Sequence, residues 1–165
     1  MENNNRKPNR LKEYNYSANG AYFITICVKN MKCVLSKITV GVGLCALPRV
    51  ELSKIGYEVE KAINYIDNTY RFTKVKSFVI MPNHIHLLIQ IEKPQGIMTG
   101  GHGDPPLQSI IGAFKSYTNS KYNGLLWQRS YYDHIVRNEE DMYYHLQYIE
   151  ENPKKWLIGK DKYYI

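Results

Sequence analysis

The chain has 165 residues, of which 44% are hydrophobic and 22% are charged. This composition is typical of one globular domain, and it excludes a disordered or collagen-like chain. The net charge of +7 and the aromatic content of 13%, with 15 tyrosines, favour a polyanionic partner.

Residues 1–19 form a polar arm rich in asparagine, without an apolar signal core. No stretch of the sequence approaches the roughly 18 consecutive apolar residues that a membrane span needs. We therefore expect a cytoplasmic protein that does not enter a membrane. The cysteines Cys27, Cys33 and Cys45 form no CxxC pair. They predict free thiols, and they favour neither a disulfide framework nor a cysteine zinc site.

The first half of the chain predicts a strand, a hairpin and a helix. Residues 20–28 are apolar on both alternating faces, which indicates an interior strand. Residues 32–50 combine glycines and a proline with short apolar runs, which suits a hairpin or a surface excursion. Ser53 is a candidate N-cap for a helix that extends to Asn68. Its apolar residues recur at helical spacing: Ile55, Val59, Ala62, Ile63 and Ile66.

Two strand-like runs follow, at residues 75–81 and 84–92. Only Pro82 and Asn83 separate them, and both residues favour turns. The two runs therefore predict a β-hairpin. Residues 93–106 are rich in glycine and proline and predict a long flexible loop.

The last third of the chain predicts a helix at residues 107–121, a strand at 130–136 and a final helix. Asn138 is the candidate N-cap of that helix, and three acidic residues follow it. Because Pro153 disfavours helical geometry at Asn152, we expect the helix to end there. Its predicted buried stripe consists of Met142, His145, Leu146 and Ile149.

The predicted order is strand, helix, strand, strand, helix, strand, followed by an added C-terminal helix. This order is the split βαβ pattern of an α+β fold. The length of 165 residues then predicts one domain over residues 1–165.

His84 and His86 stand at the start of the second hairpin strand. The period of two along a strand places both imidazoles on one face, where a single metal ion could contact both. The aliphatic residues of the strand fall on the opposite face. The alternative is that the two histidines only form hydrogen bonds at a strand end. Two ligands do not complete a catalytic metal site, so a third ligand must come from elsewhere in the chain.

Tyr144, Tyr148 and Asn152 follow one another at intervals of four on the final helix and share one stripe. With 15 tyrosines in the chain, most must serve packing or the surface, and an asparagine before proline is commonly a helix terminator. Spacing alone therefore does not select Tyr148.

Two other kinds of site are not supported by the sequence. The glycine-rich segments lack the strand and helix order of a nucleotide site. Cys27 lies in an apolar strand, which suits an inert thiol.

Three segments of the sequence together resemble one family. They are FVIMPNHIHLLI at 78–89, WQRSYYDHIVRNEEDM at 127–142 and YIEENPKKW at 148–156. The chain resembles the REP-associated tyrosine transposases, a branch of the single-tyrosine HUH transposases, and residues 10–28 also resemble that family's opening strand region. This resemblance implies an α+β, ferredoxin-like fold, with an antiparallel sheet, helices packed on it and an added C-terminal helix that carries the tyrosine.

The resemblance also implies a reaction and its residues. His84 and His86 would be metal ligands, Tyr148 the nucleophile and Asn152 the third ligand, with Mg²⁺ or Mn²⁺ as the cofactor. Relatives among insertion sequences commonly carry glutamine at the position of Asn152. The implied activity is cleavage and rejoining of single-stranded, hairpin-forming DNA through a 5′-phosphotyrosyl intermediate, by a monomer or a homodimer.

Five further residues are candidates for contact with DNA. Lys115, Arg129 and Arg137 flank the predicted active elements and could bind phosphates, although they could equally be solvated surface residues. Tyr131 and Tyr132 could stack on unpaired bases, although core packing would explain them as well.

Two other function classes remain open at this point. The first is a non-catalytic protein that binds hairpin DNA, with a structural metal or no metal at His84 and His86. The second is a metal-dependent phosphoesterase that uses activated water instead of a tyrosine. The first predicts binding without a covalent adduct, and the second predicts cleavage that does not need Tyr148.

Overall fold

The computed structural model of the protein describes residues 18–40, 47–94 and 104–163. These residues form six strands, three α-helices and a one-turn 3-10 helix at Lys29–Met31. The strands are β1 (Gly20–Cys27), β2 (Ser36–Val40), β3 (Pro48–Leu52), β4 (Thr73–Ile80), β5 (His84–Ile91) and β6 (Tyr132–Val136). The helices are α1 (Lys54–Thr69), α2 (Leu107–Ser120) and α3 (Glu139–Leu157).

Four strands form one antiparallel sheet in the order β4-β5-β1-β6. Strands β2 and β3 pair separately as an antiparallel hairpin. The order in the main sheet is that of the split βαβ arrangement, because α1 and α2 each connect strands that are not neighbours. The predicted α+β, ferredoxin-like fold with a further C-terminal helix is therefore confirmed.

The sheet has two different faces because successive side chains of a strand point to opposite sides. One face carries aliphatic residues of β1 and β5 and packs against α1 and α2. This larger core includes Tyr22, Ile24, Ile26, Ile85, Leu87, Ile89, Val59, Ile63, Ile110 and Phe114. Full burial of each aliphatic side chain contributes about 1.5–3 kcal/mol. This face therefore accounts for much of the stability of the fold.

The opposite face of the sheet packs against α3. Its smaller core consists of Phe23, Ile38, Val79, Met81, Leu88, Ile149 and Trp156. His84 and His86 belong to this face, because they alternate along β5 with the aliphatic residues of the other face. The sequence prediction that the histidines and the aliphatic row lie on opposite faces is confirmed.

The predicted N-caps of α1 and α3 are both confirmed. The Ser53 hydroxyl accepts a hydrogen bond from the backbone N–H of Gly56 at 3.1 Å and donates one to the Val34 carbonyl at 2.6 Å. The side chain of Asn138 accepts a hydrogen bond from the backbone N–H of Asp141 at 2.8 Å. Each cap satisfies an N–H group that the first turn of a helix leaves without an intrahelical partner.

Two expectations about α3 are wrong. The helix continues through Pro153 to Leu157 instead of ending at Asn152, and Leu146 is 37% exposed instead of buried. The turn beyond the proline places Trp156 in the core, and this burial offsets the loss of one backbone hydrogen bond. The buried face thus consists of His145, Ile149, Asn152, Pro153 and Trp156.

Several predictions fall partly or wholly outside the described residues. Residues 1–17 of the polar arm, residues 95–103 of the predicted loop and Cys45 lie there. Within the described ranges, Cys27 and Cys33 are free thiols, as predicted. The same ranges contain no helix long and apolar enough to cross a membrane. The prediction of a single domain over the whole chain stays a prediction.

The glycines at positions 56 and 112 provide a matched test of the packing of the helices. An added Cβ at Gly56 would overlap the Leu35 carbonyl, whereas one at Gly112 meets nothing within 4 Å. We expect Gly56→Ala to lower the free energy of unfolding by about 1–3 kcal/mol, because the backbone at Leu35 must shift. Gly112→Ala should raise it by about 0.5–1 kcal/mol. Urea unfolding measures both, and equal effects would contradict the packing of α1.

Candidate active site

The two histidines of β5 lie side by side under α3. The antiparallel register pairs His84 with Cys27 and His86 with Thr25 on the neighbouring strand β1. The side chains are fully buried, with residue exposures of 0% and 1%. Their Nε2 atoms are 3.1 Å apart. The pair therefore presents two ring nitrogens to one common point, as the spacing in the sequence predicts.

The hydrogen bonds of Asn83 determine which nitrogen of His84 carries the proton. The side-chain amide of Asn83 donates from Nδ2 to the Tyr163 carbonyl at 2.9 Å, so its Oδ1 faces His84. This oxygen lies 2.8 Å from His84 Nδ1 and can only accept a hydrogen bond. His84 Nδ1 must therefore carry the proton, and Nε2 presents its lone pair towards His86.

Thr25 supports the second histidine in a similar way. Its Oγ1 lies 2.8 Å from His86 Nδ1. A hydroxyl can donate or accept, so Thr25 allows either neutral tautomer of His86. With the proton on Nε2, His86 can donate it to His84. With the proton on Nδ1, both Nε2 lone pairs are available to a metal ion.

Burial keeps both imidazoles uncharged. It lowers the pKa of His84 from the ordinary 6.5 to about 3, although the nearby Asn152 amide opposes part of this shift. Burial also holds the pKa of His86 well below 6.5, and His84, His145 and Lys162 lower it further. A metal ion binds the neutral form of imidazole, so both rings are in the form that a ligand requires.

Helix α3 brings Tyr148 and Asn152 to the histidine pair. The ring of half-buried Tyr148 packs edge-on against His86, with 5.2 Å between ring centroids. Asn152 is 1% exposed and lies one helical turn further on. Neither its Oδ1 nor its Nδ2 has a well-formed hydrogen bond to any of the described residues. The amide is nevertheless close enough to shift the pKa values of His84 and Tyr148.

This set of donors fits a divalent ion. His84 and His86 supply imidazole nitrogens in the neutral form, and Asn152 supplies a buried amide oxygen without a well-formed hydrogen bond inside the described part of the chain. A buried amide in that state is costly unless an unplaced partner satisfies it. Imidazole and amide donors together suit Mn²⁺ better than Mg²⁺, which prefers oxygen ligands.

Tyr148 is protonated at neutral pH in this environment. Burial raises the pKa of its hydroxyl above the ordinary value of 10, and the carboxylate of Asp161 raises it further. The Asn152 amide acts in the opposite direction. The ammonium of Lys155 lies 5.0 Å from the centre of the Tyr148 ring, and the Lys155 side chain is 35% exposed.

Asp161 and Tyr163 border the candidate site, and no motif in the sequence predicted them. The Tyr163 ring lies 4.5 Å from the His84 ring, and burial raises the pKa of this phenol to about 12. Asp161 Oδ1 accepts the backbone N–H of Tyr163 at 2.6 Å. Asp161 Oδ2 is buried, and no hydrogen-bond partner for it exists among the described residues. The segment 161–163 follows no helix or strand period, so no pattern in the sequence could reveal it.

The predicted DNA contacts fall into two groups. The side chains of Arg129, Tyr132 and Arg137 are exposed, and Tyr132 lies near the site because the Lys162 ammonium is 5.9 Å from its ring. Tyr131 is only 7% exposed and belongs to the larger core. Lys115 Nζ donates to the carbonyls of Gln128 and Arg129 at 2.6 and 3.0 Å. All five residues remain predictions as DNA contacts.

Cys27 also lies on this face of the sheet, because it alternates along β1 with Ile24 and Ile26 of the larger core. Burial raises the pKa of its thiol to about 11, with Lys162 opposing the shift. A thiol with so high a pKa is a poor nucleophile at neutral pH. This agrees with the interpretation of Cys27 as an inert strand residue.

Comparison with known proteins identifies relatives over nearly the whole chain. The sequence profile of the IS200-like transposases matches residues 48–152. An uncharacterized protein of Haemophilus influenzae is 32% identical over 97% of this chain and 93% of its own length. A second protein of that organism, named as a candidate REP-associated tyrosine transposase, is 29% identical over 52% of each chain.

A solved structure confirms the fold. The structure of a REP-associated tyrosine transposase bound to a REP hairpin superimposes with a TM-score of 0.61. The match covers 93% of this chain and 76% of the chain in the solved structure, at 20% sequence identity. The IS200-like transposase profile and the curated relative, together with this fold, confirm the family resemblance drawn from the three sequence segments.

The low pKa of His84 makes the metal-free protein sensitive to acid. The folded pKa of about 3 lies below the ordinary 6.5, so on acidification the unfolded chain binds this proton first. Stability should therefore fall as pH drops from 6.5 towards 3. Between these limits His84 contributes a slope of about 1.4 kcal/mol per pH unit. Urea unfolding of wild type and His84→Gln at pH 7, 6 and 5 measures this. The free energy of unfolding should fall more steeply with decreasing pH in wild type than in His84→Gln, and the same pH dependence in both proteins would contradict the prediction.

Proposed function

The chain belongs to the family of IS200-like transposases, and on that basis we propose that it cleaves and rejoins single-stranded, hairpin-forming DNA through Tyr148. The observation that carries the proposal is the position of Tyr148. Its ring packs against His86, and Asn152 follows one turn later beside His84. A candidate nucleophile and three candidate metal ligands therefore lie close together under α3.

The reaction that we propose forms one bond and breaks one. The Tyr148 oxygen attacks the phosphorus of a phosphodiester and loses its proton as the new bond forms. The bond from phosphorus to the 3′ oxygen breaks, and that oxygen takes up a proton. The products are a 5′-phosphotyrosyl protein and a free 3′ hydroxyl. Attack by a 3′ hydroxyl on this linkage reverses the step and rejoins a strand.

His84, His86 and Asn152 would hold a divalent ion, Mn²⁺ or Mg²⁺. Such an ion would polarise the phosphate oxygens and stabilise the charge that develops on the departing oxygen. The chain itself prepares the site. Asn83 and Thr25 orient the two imidazoles, and burial keeps them neutral and able to bind metal at physiological pH.

Asp161 is a positioning residue in this proposal. Its carboxylate lies near enough to the Asn152 amide for that amide to lower the pKa of Asp161. A carboxylate attracts the N–H₂ end of an amide, which leaves the amide oxygen towards His84. Asp161 therefore selects the orientation in which Asn152 is a metal ligand.

The exposed side of the site suits a polyanion. Lys155 lies over the ring of Tyr148, and Lys162 lies between the rings of Tyr132 and Tyr163, at 5.9 and 5.7 Å. We propose that both ammonium groups contact phosphates, together with Arg129 and Arg137, which precede and follow β6 in the chain, and that exposed Tyr132 stacks on a base. The hairpin bound in the solved structure makes hairpin DNA the substrate class to test first.

The nucleophile is tested by comparing two tyrosines that are one helical turn apart. Wild type, Tyr148→Phe and Tyr144→Phe are incubated with labelled single-stranded hairpin oligonucleotides and Mn²⁺. We expect a denaturation-resistant protein-DNA band from wild type and Tyr144→Phe. Tyr148→Phe should give no band, because only its hydroxyl oxygen can form the phosphotyrosyl bond. Tyr144 is the matched control, since it lies on the same stripe and is 60% exposed.

Other outcomes of this experiment support other functions. Cleavage that persists in Tyr148→Phe without any adduct indicates a phosphoesterase that uses activated water. Binding of hairpins by all three proteins, with neither cleavage nor adduct across a range of hairpins, indicates a non-catalytic binding protein. Either result would overturn the assignment of Tyr148.

The positioning role of Asp161 predicts a change in metal affinity and not in the chemistry itself. Asp161→Ala should raise the Mn²⁺ concentration for half-maximal adduct formation by about 10- to 100-fold, as outer-shell changes typically do. The rate at saturating Mn²⁺ should stay close to that of wild type. Glu151→Ala is the matched control, because this carboxylate pairs with Lys155 at the helix surface. A lower rate at every Mn²⁺ concentration would contradict a positioning role.

A further inference from the structure

A second cluster of metal-binding side chains lies where β6 meets the start of α3. His134 belongs to β6, and Asp141 and His145 lie four residues apart on the first turns of α3. The ring of Phe23 separates this cluster from the active site, because it stacks on His145 at 4.2 Å and on His86 at 5.1 Å. The cluster is therefore distinct from the site of His84, His86 and Asn152.

We propose that His134, Asp141 and His145 form a second divalent-metal site, selective for a transition ion of the zinc class. One imidazole nitrogen from each histidine and one carboxylate oxygen would bind the ion. Two imidazoles and a carboxylate are a donor set that Zn²⁺ and Co²⁺ accept, whereas Mg²⁺ prefers oxygen ligands alone. The proposal does not depend on the activity assigned to Tyr148.

The distances within the cluster match those of a metal site. Asp141 Oδ1 lies 3.1 Å from His134 Nε2 and 3.2 Å from His145 Nε2. One donor atom from each of the three residues lies within 4.8 Å of the others. In a tetrahedral zinc site with bonds of 2.0–2.1 Å, donor atoms are about 3.3 Å apart. A bound ion would therefore require only small movements of these side chains.

The surroundings hold two of the three donors in place. Asp141 Oδ2 accepts the backbone N–H of Arg137 at 3.1 Å and lies 2.8 Å from His134 Nε2, while Oδ1 lies 3.2 Å from His145 Nε2. The stacked ring of Phe23 fixes the plane of His145. Such support around the ligands is typical of metal sites in proteins. The side chains of His134 and Asp141 remain 33% and 22% exposed, so water can reach the fourth position.

A metal at this place would join the edge strand β6 to the helix that carries Tyr148. The three ligands span the turn at residues 137–138, which connects the two elements. We therefore expect the ion to raise the thermal stability of the protein, because it binds the folded arrangement and not the unfolded chain.

Cobalt provides the test, because tetrahedral Co²⁺ absorbs visible light. The full chain is treated with EDTA and titrated with Co²⁺, in wild type and in the double variant His84→Gln/His86→Gln. We expect one tetrahedral Co²⁺ per chain to remain in the double variant. Adding His134→Gln should weaken this binding by at least about 10-fold. His102 is the one histidine of the sequence that belongs to neither proposed site. Adding His102→Gln to the double variant should leave the affinity for Co²⁺ unchanged.

His134→Gln keeps an N–H donor for Asp141, so the fold should survive, and circular dichroism checks this.

A second measurement uses wild-type protein and needs no variant of the proposed ligands. Addition of Zn²⁺ to wild type should shift the imidazole NMR signals of His134 and His145 and raise the melting temperature. The proposal is overturned if the double variant binds no tetrahedral Co²⁺. It is also overturned if His134→Gln binds Co²⁺ as tightly as its parent.

Discussion

Burial of His84 and His86 between the sheet and α3 removes water from all their ring nitrogens, and each nitrogen must then find a partner inside the protein. Asn83 and Thr25 meet the two outer nitrogens, and the inner nitrogens face each other at 3.1 Å. The same burial keeps both rings uncharged. Because neither ring is a charged imidazolium, the two Nε2 atoms can lie close together without repulsion between positive charges. Asn152, Tyr148 and Tyr163 lie around the two rings.

The fold separates stability from chemistry by using the two faces of one sheet. Aliphatic side chains of β1 and β5 form a continuous core with α1 and α2, and this core contains most of the fully buried apolar residues. The polar site on the other face costs free energy to desolvate. Helix α3 covers that site with few apolar residues of its own, chiefly Ile149 and Trp156. The larger core can therefore stabilise an arrangement that the smaller one could not maintain alone.

Regular repeats explain what could be predicted from the sequence. The period of two places His84 and His86 together on one face, and the spacing of four places Asn152 one helical turn beyond Tyr148. Spacing did not distinguish Tyr148 and Asn152 from other residues of the helix, and their roles came from the family resemblance. Asp161 and Tyr163 follow neither repeat, and only the folded chain brings them to the site. The position of Tyr131 in the core and the extension of α3 past Pro153 depend on packing between distant segments. Such packing overrides local preference.

Phe23 links the two histidine clusters, because its ring stands between those of His86 and His145. The size of the Phe23 side chain therefore determines how close the His86 and His145 rings can lie to each other. A smaller residue would leave a void beside each histidine, and a larger one would displace both rings. Replacement of Phe23 by a residue of different size can therefore be accepted only together with compensating changes on β5 and α3. Among chains of this fold, we expect the residues at positions 23, 86 and 145 to change together during evolution and not one at a time.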